Sequence, residues 1–119
     1  MGRRAFVHDA VVAMQSGGSP NAPGGAITLA LCGGWDHPPP CSLAPHHVTN
    51  MPIGESLALR VLFATEPVNE QRVRALIGEA LATGRLQGPD GVAIWQLRSE
   101  SAGELRADEE DHAAHLVAS

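Results

Sequence analysis

The sequence predicts an α+β fold, and three stretches carry that prediction. Glu55 to Thr65 alternates, placing Leu57, Leu59, Val61 and Phe63 on one face of a strand. Val73, Leu76, Ile77, Ala80 and Leu81 recur at i, i+3, i+4, i+7 and i+8, the stripe of a helix lying on a core. Val92 to Arg98 then returns to a strand-like run. The expected order is strand, loop, strand, helix, strand. It describes a small sheet of three or more strands with a helix on one face, ferredoxin-like in part. A strand-helix-strand succession favours parallel pairing through a right-handed crossover.

Taken in order, the chain divides into 1–25, an N-terminal arm and linker, 26–98, the α+β core, and 99–119, an acidic tail. Residues 5 to 15 suit either a short helix or a strand, and Ser16 to Gly25 has the Gly/Ser/Pro composition of a flexible linker. Ala26 to Cys32 alternates Ile27, Leu29 and Leu31 against Thr28, Ala30 and Cys32, which reads as the first strand. A long loop, 33–55, follows, because Pro38, Pro39 and Pro40 impose extended geometry and remove three backbone donors. Asn69 is the expected N-cap of the helix, Gly84 its left-handed stop, and Gly88 to Gly91 a turn. On that helix Leu76 faces the sheet and Arg74 faces solvent. The second sheet face, with Ala30, Ala58, Leu62, Ala64, Trp95 and Leu97, is too apolar to stay wet and predicts a homodimer or accessory-subunit contact if the arm leaves it bare. The tail has only a thin apolar stripe (Leu105, Leu116, Val117), so it is expected to fray.

Composition narrows the function classes. A length of 119 residues can bury a core without disulfides or metal. Every basic residue is Arg, the net charge is −5, and no Arg cluster lies beside aromatics, which argues against nucleic-acid binding. No apolar run reaches the length of a membrane span. Arg3-Arg4 is followed by His8 and Asp9 instead of an export signal's apolar stretch, so a cytoplasmic location is expected. In that compartment two cysteines are thiols or ligands more often than a disulfide.

The chemistry concentrates between Cys32 and His47, where both cysteines and three of six histidines occur. Cys32, His37, Cys41, His46 and His47 are candidate metal ligands, and thiolate with imidazole suits Zn(II) over Mg or Ca. The spacing C-x4-H-x3-C-x4-H-H lacks a close C-x2-C pair. Prolines nonetheless hold Cys41 and His46 at fixed offsets, and Asp36 can orient His37 from outside the ligand set. The expected set is Cys32, His37, Cys41 and one of His46 and His47. Other readings are a Pro-rich scaffold loop packed by Trp35 and Leu43, a Cys32–Cys41 disulfide after export, and a thiol enzyme pairing Cys41 with His46 or His47. Asp108, His112 and His115 share one face if the tail is helical, though an acidic solvated tail explains them more simply. The glycine pairs sit in the linker without a Gly-Lys-Ser/Thr, so no nucleotide site is expected.

Overall fold

The computed structural model describes residues 2–15, 17–32, 44–88 and 91–118. Along the chain these form β1 (Arg4–Met14), α1 (Ala22–Cys32), β2 (His46–Ile53), β3 (Ser56–Thr65), α2 (Glu70–Thr83), β4 (Arg85–Gly88), β5 (Gly91–Gly103) and α3 (Glu110–Ala118). The fold is α+β: one five-stranded sheet in the order β2-β3-β1-β5-β4, with every pair antiparallel, and three helices.

The first 25 residues are not an arm. β1 lies at the centre of the sheet, paired with β3 on one side and β5 on the other. A central strand is covered on both faces, so Val7, His8, Ala10 and Val12 are all buried and the run loses the clean alternation of a half-exposed strand. The strand expected at Ala26 to Cys32 is also corrected, since that segment is the body of α1. Pro23 stands at its second residue, where a missing N–H costs nothing and a fixed φ suits the first turn. Ala22, Ala26, Ile27 and Leu31 are buried at helical spacing.

Direct cross-strand partners define two faces. The helix face carries Phe6, His8, Ala10 and Val12 opposite Phe63, Val61, Leu59 and Leu57, and α1 and α2 close over it with Ile27, Leu31, Val73, Ile77 and Leu81. The outer face carries Val7, Asp9 and Val11 opposite Leu62, Arg60 and Ala58. The expected strand-helix-strand parallel pair does not form. β3 and β5 run the same way, but β1 is inserted between them.

A register shift between Val11 and Val12, where β5 steps from Ser99 to Leu97, leaves Arg98 as an extra residue. It moves Leu97, Trp95 and Ala93 onto the helix face. Trp95 is buried and its Nε1 donates to the Leu81 carbonyl at 2.9 Å, so Trp95 and Leu97 do not belong to the outer face as expected.

The helix expected at residues 70 to 83 stands as α2. Asn69 makes no side-chain cap, while Gly84 takes φ 68°. A Cβ at Gly84 would lie 2.5 Å from the Trp95 carbonyl oxygen, so only glycine lets the chain leave the helix there and pair with β5. Arg74 is not a solvent position. It bonds Glu70 and the Val7 carbonyl at 2.8 Å each, and lies over the Phe63 ring. The loop expected at 33–55 ends by residue 45 among the described residues, because His46–Ile53 forms edge strand β2. The tail docks instead of fraying, and Ala113 of α3 is buried.

Candidate functional site

Strand β2 sorts the two adjacent histidines onto opposite faces. His46 opposes Phe63 and turns to the helix face, while His47 opposes Leu62 and turns to the outer face. His46 Nδ1–H donates to the Ala44 carbonyl at 3.0 Å, and its Nε2 accepts the Thr28 hydroxyl of α1 at 3.0 Å. Burial holds the His46 pKa below its ordinary value; the Ala44 bond opposes the shift, and the neighbouring His47 adds to it.

His47 meets His112 of α3, with ring centroids 4.4 Å apart and planes tilted by 52°. Burial lowers the His47 pKa and the charge of His112 lowers it further, so the ring is neutral near pH 7. The sequence could not place these two rings together, because nothing in it shows where α3 docks. His115, expected beside His112, has its Nδ1 on the Asp111 carbonyl of its own helix at 2.8 Å.

Of the five ligands expected from sequence, His46 and His47 are therefore separated by the sheet. Cys32 is the last residue of α1. His37 and Cys41 lie outside the described residues, as do Gly33, Gly34, Trp35, Asp36, the three prolines and Leu43. Among the described residues no group of three or more His, Cys, Asp or Glu is placed to hold a metal.

Arg60 fixes α3 onto the outer face. Its Nε and Nη2 take both carboxylate oxygens of Glu109 at 2.8 and 2.7 Å, Nη2 also donates to the Glu104 carbonyl, and Nη1 donates to Asp9 at 3.0 Å. This fork is the strongest hydrogen-bonding geometry open to a carboxylate. The Arg60 bonds hold the Glu109 pKa down to about 2, and the same bonds raise that of Arg60. On the helix face, His8 is buried between Arg74, which donates to Nδ1 at 3.1 Å, and Glu100, which accepts from Nε2 at 2.7 Å. The chain reaches this cluster through Gly78, where a Cβ would press on the Glu100 carboxylate.

No helix among the described residues is long and apolar enough to cross a membrane. Set beside known protein families, curated proteins and solved structures, the chain matches none of them.

Proposed function

We propose that the protein binds a transition metal, Zn(II) first, at the outer-face edge of β2. The contact between His47 and His112 carries this reading. Zinc holds imidazole nitrogens at about 2.0–2.1 Å, so two rings bound at a tetrahedral angle keep their centroids about 5 Å apart. The observed 4.4 Å needs little movement to reach that. Cys41 and His37 complete the set by chemistry and tether, Cys41 preceding His47 by six residues, a reach of about 20 Å. Of the alternatives left open by the sequence, His47 is taken as the ligand. A reducing, cytoplasmic compartment keeps the cysteines reduced, and metal binding displaces their thiol protons. The β1-α1-β2-β3-α2-β4-β5 succession, with β4 added at the sheet edge beside β5, supports the partly ferredoxin-like reading of the fold.

Cobalt(II) titration of chelator-treated protein tests the site, because thiolate coordination gives a charge-transfer band. Binding is expected to weaken in His47→Ala and His112→Ala, to lose the band in Cys41→Ser, and to survive His46→Ala. Affinity falls as pH drops, since proton and metal compete for the same lone pairs. Failure of the chain to bind cobalt or zinc, or equal affinity in His47→Ala, overturns the reading.

A second reading, a homodimer through the outer face, rests on Met51, Ile53, Val92 and Ile94. All four are exposed on the part of that face that α3 does not reach, with Met51 63% accessible. Light scattering at micromolar concentration is expected to give twice the monomer mass, and the monomer mass in Met51→Asp. A monomeric wild type ends this reading without touching the first.

A further inference from the structure

We propose that Thr28 is a nucleophile activated by His46, in a small cleft between α1 and β2, acting on neutral activated acyl compounds such as short esters. A threonine in a helix ordinarily returns its hydroxyl to the carbonyl one turn back, and Thr83 does this in α2, donating to the Glu79 carbonyl at 2.9 Å. Thr28 instead donates to His46 Nε2 at 3.0 Å, while His46 Nδ1–H is committed to the Ala44 carbonyl. That carbonyl fixes the tautomer, so the lone pair that faces the hydroxyl is a base. Nucleophile, base and orienting acceptor stand in the order that activates a hydroxyl.

The dyad lines a cleft of about 340 Å³, at the small end of ligand pockets, with Asn21, Gly25, Val48 and Asn50 among its walls. No Asp, Glu, Lys or Arg lines it, which selects a neutral substrate. Asn50 Nδ2 donates to Asn21 Oδ1 at 3.2 Å and to the Pro20 carbonyl. This Asn21–Asn50 pair closes the far end of the cleft, about 10 Å along α1 from Thr28.

In the reaction, Thr28 Oγ1 bonds to the acyl carbon as its proton passes to His46 Nε2. The tetrahedral adduct collapses by breaking the bond to the leaving alkoxide, which takes that proton. Water then attacks the acyl-threonine by the same route, releasing a carboxylic acid and restoring the hydroxyl. No oxidant or metal enters the balance; His47 also lines the cleft, and EDTA in the assay keeps metal away from the dyad.

The test is hydrolysis of p-nitrophenyl acetate by the full chain in EDTA, with an acid quench and peptide mapping by mass spectrometry. One acetyl group is expected on Thr28. His46→Gln, which keeps a polar side chain of similar reach but no base, is expected to slow hydrolysis about a hundredfold. Thr28→Ser retains the adduct and Thr28→Val loses it. Acetyl found only on cysteine or histidine, or an unaltered rate in His46→Gln, overturns the proposal. Should Thr28→Val fail to fold, the wild-type adduct map and Thr28→Ser still decide.

Discussion

The two faces of the sheet are closed by different forces. On the helix face, Ile27, Val73, Ile77 and Leu81 meet Val12, Leu57, Leu59 and Phe63 with almost no exposed area, and the contact is apolar and nondirectional. On the outer face, the dock of α3 depends on one guanidinium shared by Asp9 and Glu109, with a histidine pair at its edge. Apart from the His8, Arg74 and Glu100 cluster, the first kind of closure depends little on pH and salt, while the second is sensitive to both. The lesson is a division of labour. The helix face holds the fold, and the outer face can loosen α3 without unfolding the sheet.

The largest effect should come from the helix face. Ile77→Ala removes a fully buried side chain and is expected to cost about 2–5 kcal/mol in urea unfolding, lowering the midpoint of the whole chain. Arg60→Ala removes the bonds to Asp9 and Glu109 and leaves Glu109 only its contacts with Arg106, an expected loss of about 1–3 kcal/mol. Hydrogen exchange would locate it, with α3 amides losing protection while those of β1 and β3 keep theirs. Equal loss of protection on both faces would break the comparison.

Acid should separate the faces further. Glu109 is held near pKa 2 in the fold against 4.5 ordinarily, so its contribution is complete above about pH 4.5 and is lost as pH falls towards 2. His47 has a lowered pKa, so the fold favours its neutral form; that contribution is complete above about pH 6.5 and declines below it. Both signs agree, and the protection factors of α3 amides, corrected for the intrinsic slowing of exchange in acid, are expected to fall from about pH 6.5 downwards before those of the core do. At the small end stands Val68, 83% exposed in the turn before α2, where Val68→Ala should change stability by less than about 0.5 kcal/mol.

What the sequence determined by itself is local and periodic. The β3 alternation, the α2 stripe and the stop at Gly84 were legible because each depends on neighbours within one turn or one strand. β1 reads as either helix or strand from its sequence for the opposite reason. Burial on both faces erases alternation, and only the pairing with β3 and β5 supplies it. In α1, a short run of Ala, Leu and Ile fits either period, although Pro23 at the first turn was a signal for a helix. The extra residue at Arg98 decided the face of Trp95, since one inserted residue inverts everything beyond it. The chemistry divides in the same way. Sequence named His46 and His47 as neighbours, but a strand sends neighbours to opposite sides of a sheet. One then meets Thr28, 18 residues earlier, and the other meets His112 on the last helix. Those partners are set by how α1 and α3 pack, and packing is settled by burial summed over the whole chain.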